Sequence, residues 1–217
     1  MEFRYAHIHG FSSSSRSNKG LQLAKAFRRR GHELILPELN RPSFTQITYT
    51  KALEALDEMD REFSDGKPWR ISASSMGAYL ATLWAERNPG KVDRLVLLCP
   101  AFELMERFKE MVGLEAMEKW EREGSLKLEG PDESLQPVHW GFIEDGRTYP
   151  DFAEAPCPTV IIHGRQDPTI PIESSRRYAK SREQVELFEV EGDHSLAGAM
   201  DFITAKIFSF FELDSAQ

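Results

Sequence analysis

Apolar and polar positions follow two alternating patterns along this chain. Short runs such as RLVLLC (94–99) and TVIIH (159–163) are apolar on both faces, which is typical of parallel strands covered by helices on both sides. Between such runs lie segments with apolar residues at helical spacing, for example KGLQLAKAFRRRG (19–31) and GAYLATLWAERNPG (77–90). The alternation of strand and helix predicts right-handed crossovers and a doubly wound α/β fold.

The pattern predicts a mainly parallel sheet of six strands in a single domain that spans residues 1–217. The predicted strands are FRYAHIH, HELILPEL, PWRISAS, VDRLVLLCPA, CPTVIIHG and VELFEVEG. An insertion over residues 102–155 follows the fourth strand, and its first part, FELMERFKEMVGLEAMEKWEREG, has apolar residues at helical spacing. We expect this insertion to form a helical lid above the carboxyl edge of the sheet, where doubly wound folds bind their ligands.

Composition excludes several classes of partner. The 217 residues are 41% hydrophobic and 29% charged, which is ordinary for a globular protein. The formal net charge of −8 gives a surface that repels phosphate backbones, so we expect no nucleic-acid partner. No apolar run approaches the roughly 18 residues that a membrane span needs, and the first residues lack a signal-peptide pattern.

Cysteine usage indicates a reducing compartment. Cys99 and Cys157 each lie in or beside a predicted buried strand, where a thiol behaves as a small apolar side chain. The spacings typical of zinc ligands are absent, so we expect no metal site. These features favour a cytoplasmic location.

The segment ISASSMGA (71–78) predicts a tight turn of small residues between a strand and a helix. A serine nucleophile at such a turn usually lies in Gly-x-Ser-x-Gly, because only small side chains fit two residues before and after it. Gly77 keeps the second glycine, whereas Ala73 takes the place of the first. A nucleophile at Ser74 would put a methionine where a small residue is needed, so we expect Ser75 to be the nucleophile.

The ends of two later strands supply a carboxylate and an imidazole. Asp167 follows the fifth predicted strand in IIHGRQDPTIP, and His194 follows the sixth in VEGDHSLAG. A serine hydroxyl needs a base within hydrogen-bond reach, and a carboxylate fixes the tautomer of that base. Because the carboxyl ends of parallel strands meet at one edge of a sheet, we expect Ser75, Asp167 and His194 to lie together.

Other residues are weighed for supporting roles. Glu103, just after the fourth strand, is an alternative acid, and Asp193 is interpreted as a turn or supporting residue. We expect the backbone amides of Phe11 and Met76 to bind the oxyanion of a tetrahedral intermediate. The remaining histidines are interpreted as shaping the oxyanion loop (His9) or as structural (His7, His32, His139 and His163).

Segments spread over nearly the whole chain resemble the α/β-hydrolase superfamily and, within it, the small bacterial YqiA/YcfP-like esterase group. They are HIHGFSSSSRSNKG, LPELNRPSFTQIT, SASSMGAYLATLWAERNP, RLVLLCPAF, EDGRTYP, IIHGRQDPTIP and EGDHSL. The resemblance implies Ser75 as nucleophile, His194 as base and Asp167 as acid. It also implies Phe11 and Met76 as oxyanion donors. The chain departs from the family pattern at Ala73, and also at Ala78, where relatives commonly carry a second glycine.

The resemblance implies hydrolysis of a small-molecule carboxylic ester or thioester without a metal or organic cofactor. An acyltransferase with the same triad, or an inactive hydrolase fold that serves as a binding protein, are the alternatives. A nucleotide-binding protein is not expected, because HGFSSSSRS lacks the G-x-G-x-x-G loop. Four residues of the insertion either line an acyl pocket or pack the insertion onto the body: Met105, Phe108, Trp140 and Tyr149.

Overall fold

A computed structural model describes residues 2–63 and 65–213. In chain order its elements are β1 (Arg4–Ile8), α1 (Asn18–Arg29), α2 (Tyr49–Glu62), β2 (Trp69–Ser74), α3 (Met76–Arg87), β3 (Val92–Leu98), α4 (Leu104–Val112), α5 (Leu114–Glu123), β4 (Ser125–Glu129), β5 (Leu135–His139), α6 (Gly141–Gly146), β6 (Thr159–Gly164), α7 (Ile172–Lys180), β7 (Val185–Val190) and α8 (Met200–Phe210). Two 3-10 turns, 44–46 and 197–199, complete the regular structure of the described residues.

Five strands form the central sheet in the order β1-β2-β3-β6-β7, and every neighbouring pair is parallel. Helices flank the sheet, so the predicted α/β doubly wound fold is confirmed. The strands all end at one edge of the sheet. That edge therefore collects the loops after β1, β2, β3, β6 and β7.

The prediction of six strands is wrong by one. The segment HELILPEL touches β1 through a single parallel bridge between Ile35 and Ala6. The Ile35 amide donates to the Tyr5 carbonyl at 2.8 Å, and the Ile35 carbonyl accepts from the His7 amide at 2.9 Å. The next donor of such a ladder would be residue 37, which is Pro37 and has no N–H, so pairing stops there.

Strand β3 has apolar residues on both faces because each face packs against a different hydrophobic core. Leu95 and Leu97 belong to the core formed with α2, α3 and the insertion. Val96 and Leu98 belong to a second core, formed with α1 and α8. Helix α3 lies so deep that its residues 76–85 are all buried, which ties the start of this helix firmly to the sheet.

The chain between β3 and β6 contains helices α4, α5 and α6 and an antiparallel hairpin of β4 and β5. The helical spacing is confirmed for α4 and α5, whereas the hairpin is an addition to the predicted helical lid. The hairpin is hard to predict from sequence, because β4 has only five residues and its two apolar side chains, those of Leu126 and Leu128, are only partly buried. Trp120 of α5 holds the hairpin by donating its Nε1–H to the Val138 carbonyl at 2.7 Å.

Within the residues that the structure describes, no helix combines the length and the apolar character needed to cross a bilayer.

Candidate active site

Ser75 occupies a sharp turn between β2 and α3. Its φ of 53° and ψ of −123° are rare for a residue with a side chain, and such conformations persist only where the surroundings enforce them. The end of β3 supplies that support. The Ser75 amide donates to the Leu98 carbonyl at 2.8 Å, and the Ser75 carbonyl accepts from the Ala101 amide at 3.1 Å. The turn therefore presents the Ser75 hydroxyl at the carboxyl edge of the sheet.

The positions two residues before and two residues after Ser75 differ in how strictly they require a small residue. A Cβ at Gly77 would lie 2.1 Å from the His9 carbonyl oxygen and 2.8 Å from that of Ile8, so only glycine fits. Ala73 is fully buried in β2, in register with Ile8, and the strand accommodates its methyl group. The alanine at the first position is therefore compatible with the turn, whereas the glycine at the second is required by the backbone of β1.

The three residues expected to act together are joined by hydrogen bonds. His194 Nε2 lies 2.9 Å from Ser75 Oγ. On the other side of the same ring, His194 Nδ1 lies 2.6 Å from Asp167 Oδ2. An ionised carboxylate can only accept, so Nδ1 carries a proton and donates a hydrogen bond to Asp167. That tautomer leaves Nε2 free to accept from the Ser75 hydroxyl.

Asp167 is fixed by three donors and contacts a second histidine. Its Oδ1 accepts from the amides of Thr169 at 2.8 Å and Ile170 at 2.9 Å, while Oδ2 accepts from His194 and lies 3.2 Å from His163 Nε2. Burial alone would raise the pKa of this carboxyl, but the contact with His163 and the hydrogen bond from His194 outweigh burial and lower the pKa well below its ordinary value. Asp167 is therefore ionised at neutral pH and available to orient His194.

The alternative residues are engaged elsewhere. The Glu103 carboxylate pairs with Arg177. Asp193 accepts from the amide and hydroxyl of Ser195, at 2.9 and 2.6 Å, and so closes the turn beside His194. The Ser74 hydroxyl is buried and has no hydrogen-bond partner among the described residues.

The loop after β1 packs directly against Ser75. A Cβ at Gly10 would lie 3.0 Å from Ser75 Cβ and 3.6 Å from its Oγ. The amides of Phe11 and Met76, expected as oxyanion donors, donate to no acceptor within the described part of the chain. Two unengaged N–H groups beside a serine hydroxyl are the donors that an oxyanion would need.

Comparison with known proteins agrees with this architecture. The model of the Uncharacterised protein family (UPF0227) matches residues 4–212. The chain belongs to this family. No curated protein matches it. The resemblance to the α/β-hydrolase superfamily and its YqiA/YcfP-like group is thereby confirmed.

Several solved structures share the fold of this UPF0227 protein at low sequence identity. Alpha/beta hydrolase domain-containing protein 10 from mouse is 18% identical, with a TM-score of 0.77 over 96% of this chain and 89% of that one. Est1E from Butyrivibrio proteoclasticus, with ferulic acid bound, is 19% identical, with a TM-score of 0.79 over 99% and 90%. A metagenome-derived structure described under LipS and LipT, two lipolytic enzymes, is 18% identical, with a TM-score of 0.72 over 97% and 93%.

His163 contacts Asp167 directly, which its interpretation as a structural histidine did not anticipate. Its Nε2 also lies 2.9 Å from the Ile170 carbonyl, and its Nδ1 lies 2.8 Å from Ser175 Oγ. Cys99, His163 and Asp167 each place one potential ligand atom within 4.8 Å of the other two, a spacing that could hold a metal ion. Both nitrogens of His163 already have hydrogen-bond partners, and burial raises the pKa of the Cys99 thiol to about 12. The donor set therefore fits a hydrogen-bonded support for Asp167 better than a metal site.

Glu38 anchors the loop after β1, and nothing in the sequence pattern singled it out. Its carboxylate accepts from the amide and hydroxyl of Ser15, at 3.1 and 3.0 Å, and from the amide and side chain of Asn40, at 2.9 and 2.7 Å. It also lies 3.0 Å from His9 Nε2. Burial would raise the pKa of Glu38, but these hydrogen bonds lower it to about 2.

We expect Glu38→Gln to destabilise this UPF0227 protein by about 1 kcal/mol at pH 7, because an ionised acceptor of several hydrogen bonds is lost. The lowered pKa means that the carboxylate stabilises the fold above its unfolded value near 4.5 and loses this effect as pH falls toward 2. Urea unfolding of both proteins at pH 7 and pH 3 should therefore show a difference that shrinks in acid. Glu33→Gln, at an exposed position nearby, is the matched control. An equal difference at both pH values would contradict this role of Glu38.

A cavity of about 520 Å³ opens beside Ser75 and His194. It is bordered by the loop after β1, the start of α1 and the end of β4: Phe11, Ser12, Ser13, Ser17, Lys19 and Glu129. None of the four insertion residues weighed for an acyl pocket lines it. Phe108, Trp140 and Met105 are at most 8% exposed, and Tyr149 packs on Tyr49 with ring centroids 5.7 Å apart. These four side chains pack the insertion onto the body.

Proposed function

We propose that this UPF0227 protein is a serine hydrolase that cleaves carboxylic esters or thioesters through an acyl-enzyme on Ser75. One observation carries the proposal: the hydrogen-bonded series Ser75–His194–Asp167 at the strained turn after β2. The relatives by fold add support, since one of them holds ferulic acid and another is described with lipolytic enzymes.

In the proposed reaction, Ser75 Oγ attacks the acyl carbonyl carbon while its proton passes to His194 Nε2. Asp167 stabilises the imidazolium that forms. The amides of Phe11 and Met76 bind the oxyanion, a contribution typically worth about 10² to 10³ in rate for each donor. His194 then protonates the departing alcohol or thiol. Finally it accepts a proton from the water that hydrolyses the acyl-enzyme, and Ser75 regains its hydrogen.

All groups in this sequence of steps belong to the chain, so the proposal assigns no cofactor. The substrate is a small molecule, and the two free thiols Cys99 and Cys157, both buried, are compatible with a cytoplasmic enzyme. An acyltransferase would use the same residues with an acceptor other than water. An inactive binding protein would keep the fold without an activated serine.

We propose further that residues 102–155 form a lid within a single domain. The Ser12 hydroxyl donates to the Glu129 carbonyl at 2.6 Å, so the hairpin contacts the loop after β1. Glu129 also borders the cavity beside Ser75. The insertion thus supplies one wall of the proposed substrate site.

Treatment with a fluorophosphonate tests the proposal, because an activated serine hydroxyl attacks the phosphorus of this reagent, displaces fluoride and becomes phosphonylated. We expect intact-mass spectrometry to show one adduct on the wild type and none on Ser75→Ala. Ser74→Ala is the matched control and should still be labelled, because the Ser74 hydroxyl that it removes has no hydrogen bond to a base among the described residues. An unlabelled wild type would contradict the hydrolase and favour the binding protein. Labelling of Ser75→Ala would place the nucleophile elsewhere.

A further inference from the structure

The cavity beside Ser75 has both polar and apolar walls. Five serines border it besides Ser75, namely Ser12, Ser13, Ser17, Ser74 and Ser195. Its large apolar side chains are those of Phe11 and Leu98. A pocket for a long acyl chain is lined predominantly by hydrophobic and aromatic side chains, whereas most of the residues here have polar side chains. The lining residues therefore allow polar groups on the substrate close to the scissile bond.

Lys19 supplies a positive charge to this cavity. It lies in the first turn of α1 and is half-buried, yet its ammonium forms no hydrogen bond or ion pair with any described side chain. A cation that is shielded from water without a counter-ion destabilises the protein, and burial accordingly lowers the pKa of Lys19. A bound anion would relieve that cost.

The other charges near the cavity leave this role to Lys19. His7 is buried, and that burial lowers its pKa to about 3, so its ring is neutral at pH 7. Asp167 and Asp193 act on Lys19 only through space, since both are engaged in the hydrogen bonds described above. Glu129 is an exposed carboxylate at the rim.

The start of α1 has the same preference for a negative group. No acidic side chain lies in its first turn, so nothing on this helix offsets the partial positive charge of its amino end. Ser17, the N-cap, borders the cavity together with Lys19. The helix and the lysine thus add their fields at one place, a short distance along the chain from Phe11.

We propose that the substrate carries a carboxylate or phosphate on its acyl or leaving group, and that Lys19 binds this anion in the cavity beside Ser75. This inference rests on the proposed hydrolase function and narrows its substrate class. Lys19 would determine specificity and orientation, because it contacts a part of the substrate remote from the bond that breaks.

Paired substrates test the inference on the intact protein. One pair is p-nitrophenyl butyrate and p-nitrophenyl hemisuccinate, which differ by an acyl-side carboxylate. The second compares phenyl acetate with 4-carboxyphenyl acetate, and the third compares it with 4-phosphonooxyphenyl acetate, so that leaving-group carboxylate and phosphate are distinguished. In at least one pair we expect the wild type to prefer the anionic member in kcat/KM. Lys19→Met should lower that preference by about 10- to 100-fold, the range of a charge-assisted hydrogen bond.

Lys25→Met is the matched control, because Lys25 lies on the same helix, is exposed and does not border this cavity. It should keep the wild-type preference. An unchanged preference in Lys19→Met, or a wild type that favours the neutral member of every pair, would overturn the inference while leaving the hydrolase intact.

Binding to Ser75→Ala separates this inference from the proposed function, because it needs no turnover. We expect succinate, 4-hydroxybenzoate or 4-hydroxyphenyl phosphate to bind in calorimetry, and Lys19→Met introduced into the same variant to weaken this binding at least tenfold. Anion binding without fluorophosphonate labelling of the wild type would refute the hydrolase but support the anion site. Labelling of the wild type without Lys19-dependent anion binding or substrate preference would support the hydrolase and refute the anion site.

Discussion

Replacement of His194 by alanine is expected to lower kcat/KM for ester hydrolysis by about 10⁴- to 10⁶-fold, the range seen when the base of a serine-based triad is removed. The reason is that Ser75 Oγ has its hydrogen bond to His194 Nε2, at 2.9 Å, and would lose the acceptor of its proton. Asp167→Asn should cost about 10⁴-fold, because an amide can donate to Nδ1 and so favour the wrong tautomer.

Steady-state kinetics on an activated ester, together with thermal unfolding, check this expectation. His139→Ala is the matched control, since that histidine is exposed at the end of β5. The Ser75→Ala/His194→Ala double variant should be no slower than either single variant, because the residues act as a unit. The proposed roles would be contradicted if the two losses of kcat/KM multiplied in the double variant. They would also be contradicted if kcat/KM of His194→Ala were within tenfold of the wild-type value.

Gly77→Ala is expected to lower kcat/KM by at least about 10³-fold and stability by about 1–3 kcal/mol, the usual cost of overpacking a close contact. The new Cβ would lie 2.1 Å from the His9 carbonyl, which is backbone and cannot rotate away. Relief requires α3 to move away from the end of β1. That movement would shift the Ser75 turn relative to the Gly10–Phe11 loop, where a small displacement is costly to the oxyanion contacts.

Ala73→Gly gives the comparison for this prediction. It restores the more usual glycine two residues before Ser75, yet we expect activity within a few-fold of the wild type and a loss of about 1 kcal/mol, because glycine weakens a strand. Kinetics and urea unfolding measure both variants. If Gly77→Ala were as active as the wild type, or if Ala73→Gly were far more active, the constraint would lie at the first position.

The fold and the placement of the candidate site residues followed from local sequence patterns. Strands that are apolar on both faces gave the parallel sheet, and their order brought Ser75, Asp167 and His194 to one edge. The predicted number of strands is wrong because one hydrogen-bond donor is missing. Pro37 has no N–H, so the ladder that begins at Ile35 ends there, although the neighbouring residues are apolar. Propensity describes how well a segment suits a strand, but a ladder also needs each donor in turn.

The supports of the site could not be read in the same way. Glu38 joins His9, Ser15 and Asn40, and His163 meets Asp167 across a turn of four residues. Such contacts depend on the path of irregular loops, which leaves no periodic signal. The residues that line a cavity are equally hard to predict from the sequence. The aromatic and methionine residues of the insertion are abundant enough to suggest a pocket, but Met105, Phe108 and Trp140 are buried in the core.

The broken ladder beside β1 bears on how this protein behaves in concentrated solution. An edge strand with a full row of free amides and carbonyls invites pairing with another chain. Here one bridge at Ile35 and the ring of Pro37 cover that edge without continuing it. At the opposite edge, Glu189 of β7 is held by Arg165 and Arg176, so a second sheet would have to bury charged pairs to dock there. We therefore expect both edges to resist pairing with strands of another chain, the contact from which fibrils grow.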